Sequence, residues 1–105
     1  GRDYQTREIS PEAAGQAHKA LDNLAGALAE LGAKLSDIVR IQVTVDSFEN
    51  IDPVMLALAE RLRGNDPGHT VIVSPLPDKQ LKVELAIVAY KREPGVEDEV
   101  RRIKV

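Results

Sequence analysis

The chain has 105 residues, a formal net charge of −3 and no cysteine, and its isoelectric point is about 5.4. That length suits one small domain with a thin core, which association with further copies would help to bury. The composition excludes disulfides, zinc–thiolate sites and a cysteine nucleophile; the diffuse acidic balance argues against nucleic acid or anionic lipid as a partner; and no run approaches the roughly 20 apolar residues of a membrane span.

Residues 1–9 are polar and mixed in charge, with Tyr4 the only aromatic. They carry no signal-peptide pattern, so a loop opening a cytoplasmic protein is the expectation. Ser10-Pro11-Glu12 then starts a helix: a serine cap, a proline in the first helical position and an acid at the positive end of the dipole. Ala17, Leu21, Leu24, Leu28 and Leu31 recur every three or four residues, while Gln16, Lys19, Asp22, Asn23 and Glu30 lie off that stripe. The spacing predicts an amphipathic helix over about 11–31, closed by Gly32 as a left-handed cap. Leu35-Ser36-Asp37 reads as a turn. Val39, Ile41, Val43 and Val45 alternate with Arg40, Gln42 and Thr44, which predicts a strand with one buried and one polar face. That polar face is free to line a cleft or a subunit interface.

Residues 47–50 lead into a second helix, with Asp52 as its cap and Pro53 in the first position. Met55, Leu58 and Leu62 form its inner stripe, flanked by Val54 and Ala59. Gly64 ends it, and Asn65-Asp66-Pro67-Gly68 is turn chemistry. Two β-runs follow. The first, 70–74, is β-branched and bracketed by prolines; the second, 81–90, is almost wholly apolar with Glu84 inside it. A carboxylate in an otherwise buried strand must find a partner or neutralise, because burying a bare charge is expensive. Glu84 is therefore the most chemically loaded residue, and His69 the most interesting one near it in sequence. Residues 92–105 are charged and read as a solvated tail. The alternative is an edge strand, because Ile103 and Val105 alternate with Arg102 and Lys104. The order predicts an α+β domain: an antiparallel or mixed sheet with two helices packed on one face. The second face needs a cover, which self-association supplies. No metal site is expected, because His18 and His69 have no carboxylates at ligand spacing around them.

Taken together, several segments resemble the Rid family, also called YjgF/YER057c/UK114, of imine and enamine deaminases. They are Gln16-Ala17, Ala20-Leu21-Asp22-Asn23-Leu24, Gly32 with Leu35-Ser36-Asp37-Ile38-Val39, Val43-Thr44-Val45, Phe48, Pro67, Leu76-Pro77 and Lys82-Val83-Glu84. Their order and spacing cover about 13–91, the core of a single domain spanning 1–105. The resemblance implies a chorismate-mutase-like fold, a homotrimer with clefts between subunits, and hydrolysis of small 2-imino acids without a cofactor. It also implies that an arginine in a Pro-Ala-Arg segment grips the substrate carboxylate, and that a glutamate in the last strand positions or activates water.

The residue-by-residue match is partial. Glu84 fits the glutamate. The arginine is missing: counting forward from Pro67 puts His69 at its place, and counting back from Leu76-Pro77 puts Gly68 there, with Thr70 beside them. A guanidinium makes a bidentate, permanently charged clamp, whereas an imidazole makes at most one such contact and is mostly neutral at pH 7. Asp52 falls where many relatives have asparagine near the cleft, although its role as a helix cap explains it as well. The family's first two strands also have no counterpart in the ten residues before the helix. The leading expectation is a trimeric deaminase acting on a small carboxylate-bearing metabolite, with catalysis weakened or altered. The alternative is a non-catalytic, small-molecule-binding regulatory trimer. Ribonuclease or translation-inhibitor activity, a label given to some relatives, is disfavoured by the acidic charge and the absence of a basic stripe.

Overall fold

The computed structural model describes residues 2, 9–91 and 99–105, with 91 and 99–101 described by backbone alone. Helix α1 spans Ala13–Glu30, strand β1 Ile38–Val45, helix α2 Ile51–Arg61, β2 Gly68–Val73, β3 Val83–Lys91 and β4 Glu99–Lys104. The sheet order is β2-β1-β3-β4; β1 and β2 are parallel, and the other neighbours are antiparallel. Both helices pack on one face of this mixed sheet, the α+β arrangement expected from the element order.

The core forms where the helical and strand periods meet. Leu21, Leu24 and Leu28 are fully buried against Val43, Val45, Leu85 and Ile87, with Val54, Leu58 and Leu62 from α2. Each such side chain contributes about 1.5–3 kcal/mol relative to exposure. Helix α1 ends as Gly32 predicts, with φ at 74°. Ala33 N–H donates to the Leu28 carbonyl at 2.8 Å and Gly32 N–H to that of Ala29 at 3.0 Å, the paired bonds of a Schellman cap. Leu31 therefore falls past the helix and is partly exposed rather than part of the stripe.

Gln16 departs from its expected place off the stripe. It is fully buried. Its amide nitrogen donates to the carbonyls of Ser10 and Gln80, each at 2.9 Å, and its oxygen accepts from Lys82 N–H at 2.7 Å. A polar side chain tolerates burial only when its bonding capacity is met, and here that pins the loop before β3 to the start of α1. The helix itself begins at Ala13 with Glu12 in the cap position, and Ser10 Oγ accepts from Glu12 N–H at 3.3 Å.

Strand β1 carries a bulge between Ile38 and Arg40. An extra residue in one strand changes which side chains face the core. Ile38 and Ile41 are both buried, and Val39, expected inside, is 51% exposed. Arg40, Gln42 and Thr44 then share the face away from the helices. Asp52 is not the cap of α2: the helix starts two residues earlier than expected, at Ile51 after Asn50, and Asp52 lies in its first turn, where its charge suits the dipole.

The C-terminal segment read as a tail contains a strand. Residues 99–104 pair with β3 from Ala86↔Lys104 to Lys91↔Glu99, and Val105 extends the ladder by exchanging bonds with Leu85 at 2.6 and 2.8 Å. Ile103 and Val105 pack against the core, so their alternation, rather than the surrounding charge, decided the structure. Residues 92–98 lie outside the described residues. Before α1 an isolated antiparallel bridge joins Arg2 and Ile9. No described helix is long and apolar enough to cross a membrane.

Candidate functional site

The sheet face opposite the helices carries most of the candidate chemistry. Strand register arranges its side chains in three rows. Glu84, Thr44 and Ile72 form the first; Lys104, Ala86, Gln42 and Thr70 the second; Arg102, Val88, Arg40 and Gly68 the third. The second and third rows border a groove of about 270 Å³ with a floor of Ala86 and Val88, lined also by Arg40, Gln42, Arg102 and Lys104.

Glu84 stands beside this groove. It is not the deeply buried carboxylate that its apolar strand suggests. Its side chain is 26% exposed and its Oε1 lies 3.1 Å from Lys104 Nζ. The strand is buried on one face only, through Val83, Leu85, Ile87 and Ala89, so the intervening residues keep access to solvent.

Arg40 reaches across β2. Its Nη2 donates to Thr70 Oγ1 at 2.5 Å. Gly68 leaves room for that course: a Cβ there would lie 3.3 Å from Arg40 Nη1, a few tenths of an ångström tighter than an ordinary van der Waals contact.

Of the residues singled out from the sequence, the structure brings Glu84, Gly68 and Thr70 onto one face. His69 points the other way. It borders a depression of about 130 Å³ on the helix side with Ile41, Met55, Leu58 and Leu62. Asp52 is exposed on α2, in the other layer. Along β2, Val71 and Val73 pack on the core with His69 on their side of the strand, and Gly68 and Thr70 lie on the open face. Sequence reasoning passed over Arg40, Arg102 and Lys104 as site residues. Arg40 showed only as one polar position in an alternating strand, and the other two sat in the segment read as tail. Among the described residues no cluster of three or more His, Cys, Asp or Glu could hold a metal ion.

The profile of the family described as Endoribonuclease L-PSP matches residues 1–91. The chain belongs to this family. It is the YjgF/YER057c/UK114, or Rid, family that the sequence resembles. Among solved structures, Rv2704 from Mycobacterium tuberculosis, a member of that family, is 28% identical, with a TM-score of 0.75 over 78% of this chain and 70% of that one. RidA from the Antarctic bacterium Psychrobacter sp. PAMC 21119 superposes with a TM-score of 0.80 at 23% identity, over 87% and 74% of the two chains. NMB1025 from Neisseria meningitidis gives 0.76 at 22% identity, over 82% and 73%. No curated protein matches the chain. Within the L-PSP family fold, the two helices of this chain cover one side of the sheet and leave Glu84, Arg40 and the groove on the other.

Proposed function

We propose that this chain hydrolyses small 2-imino acids, and the enamines that tautomerise to them, releasing ammonia and a 2-oxo acid. The observation that carries this reading is Glu84. It occupies the Lys82-Val83-Glu84 segment shared with the Rid pattern and stands solvent-accessible beside a groove sized for a small metabolite. An imine already has an electrophilic carbon, so orientation and modest general-base help suffice. The Glu84 carboxylate accepts a proton from water as its oxygen bonds to the imine carbon and the C=N π pair moves to nitrogen. The proton passes to that nitrogen to give a carbinolamine; its hydroxyl proton then moves through Glu84 to the nitrogen as the oxygen pair forms the carbonyl, the C–N bond breaks and ammonia leaves. Nothing is oxidised or reduced.

A homotrimer is part of the proposal. The open face exposes Ile72 and Val39 beside Val88 and Tyr90, and a neighbouring copy would cover it. The second reading, a trimeric binder without turnover, draws support from the Glu84–Lys104 pair, which occupies the carboxylate that hydrolysis needs.

An amino-acid oxidase that releases a 2-imino acid, with semicarbazide trapping what survives, tests the activity. Hydrolysis by this chain lowers the semicarbazone yield in proportion to its concentration. An unchanged yield at micromolar chain removes the deaminase and leaves the binder.

A further inference from the structure

We infer that Arg40, on β1, holds the carboxylate of the ligand, and that Gly68 is the vacancy in β2 that lets it do so. The inference rests on the proposed substrate class for the identity of the ligand, but its geometry stands on its own.

Arg40 and Gly68 are register partners in neighbouring strands. The guanidinium passes close beside the place where a side chain at position 68 would begin, since a Cβ there would lie 3.3 Å from Nη1, a few tenths of an ångström tighter than ordinary contact. Thr70 Oγ1 fixes one end of the fork through Nη2. That single hydroxyl leaves most of the five guanidinium donors uncommitted. Among the described residues neither Arg40 nor Arg102 has an acidic partner within ion-pair distance. The only carboxylate on this face with a described ion pair, Glu84, is engaged by Lys104 instead.

Arg40 and Arg102, without acidic partners among the described residues, flank Val88 in one row of the sheet, in a chain whose net charge is −3. With strands about 4.8 Å apart, their backbones are about 10 Å from each other. A groove with cations on both sides and an apolar floor suits a small molecule with one carboxylate and a short apolar body. The distance to the proposed base is also suitable. From Thr70, where the guanidinium is held, to Glu84 is two strand spacings and one two-residue step, about 12 Å between Cα atoms. Arg40 is held over β2 and Glu84 leans to Lys104 on β4, so both side chains must turn inward to share a small imino acid and one water.

The arrangement differs from a clamp carried on β2 itself. The charge comes from the adjacent strand and enters over a residue with no side chain. His69, the other candidate for this place, points to the helix side.

The test uses the full chain and pyruvate as probe, with binding followed by calorimetry and imine hydrolysis by semicarbazide competition. Arg40→Gln weakens pyruvate binding by about 10- to 100-fold, the loss expected for a charge-assisted pair of hydrogen bonds. Arg40→Lys recovers part of it, because the charge returns without the fork. The deciding variant is the double substitution Arg40→Gln with Gly68→Arg, which moves the guanidinium to the neighbouring strand and restores binding to within a few-fold of the unmodified chain. Circular dichroism of each variant confirms that the exposed substitutions leave the fold intact.

If the unmodified chain binds pyruvate and Arg40→Gln binds it equally well, the inference is overturned, whatever the activity. If binding depends on Arg40 but no imine is hydrolysed, the carboxylate site stands and the deaminase reading falls. If the unmodified chain neither binds nor hydrolyses, both are overturned.

Discussion

Glu84→Gln separates a chemical role for this residue from a structural one. The substitution keeps the shape of the side chain and removes its charge. In the folded chain the carboxylate is 26% exposed and faces a lysine that is itself 69% exposed, at 3.1 Å. Two groups this accessible interact through a largely aqueous dielectric, so the pair is worth about 0.2–1 kcal/mol. A glutamine carbonyl still accepts from the ammonium, and the backbone pairing of Glu84 with Thr44 is untouched. The expected loss of stability is therefore below about 1 kcal/mol, a fall in melting temperature of no more than about 5 °C for a domain of this size. Catalysis responds on another scale. Removing a positioned general base costs about 10²–10⁴ in rate, and a glutamine cannot accept the proton from water.

The assay pairs urea unfolding with imine hydrolysis on the same preparation. A stability loss above about 3 kcal/mol, the range for breaking a buried ion pair, would make Glu84 a structural residue. A rate within threefold of the unmodified chain, with the fold intact, would refute its role as base. Either result would send the search for a proton acceptor elsewhere on the open face.

Other outcomes follow from the same structure. Gln16→Leu leaves two carbonyls and one N–H without their partner and should cost about 2–4 kcal/mol by urea unfolding; a loss under 0.5 kcal/mol, taken as "about zero" on the scale of measured surface changes, would show that water replaces the amide freely. Pyruvate binding should be independent of pH between 6 and 8, since arginine stays charged throughout. Tightening as pH falls would point to an imidazolium and so to His69. Ile103→Asp places a charge where β4 packs on the core, and should both destabilise the fold and weaken pyruvate binding as Arg102 and Lys104 lose their frame. Light scattering at micromolar concentration should give a trimer mass, and a clean monomer would remove the shared-cleft arrangement.

The helices and three of the strands were legible because each is written in a period that burial enforces. Leu21, Leu24 and Leu28 could sit together only on a helix, and Ile41, Val43 and Val45 only on one side of a strand. What escaped were places where one contact overrides the pattern. Gln16 looks like a surface residue until the loop carrying Gln80 and Lys82 folds back onto it, and no local signal reveals a partner more than sixty positions away. The bulge after Ile38 exchanged the places of Ile38 and Val39, two residues of almost equal apolarity, so composition could not choose between them. In β4 the charges of Arg102 and Lys104 suggested solvent, and they do face it. The strand forms because Ile103 and Val105 do not.

The candidate site was half legible for a related reason. Glu84 announced itself as a charge in an apolar run. Arg40 and Arg102 became a pair only through the sheet order, which places β1 and β4 on either side of β3. Net charge concealed them, because it averages over the whole surface, while a small ligand responds only to charges within about a Debye length, about 8 Å at physiological salt. The same local count separates small from large anions. Affinity for nucleic acid grows with the number of phosphates neutralised. Among the described residues this face offers Arg40, Arg102 and Lys104, the last already engaged by Glu84. Two cations without acidic partners among the described residues, beside a groove of about 270 Å³, are enough to seat one carboxylate, whereas a polyanion would draw on many more and must also pass an acidic surface. The basic cluster that the sequence hid thus favours the small-metabolite reading over the ribonuclease one.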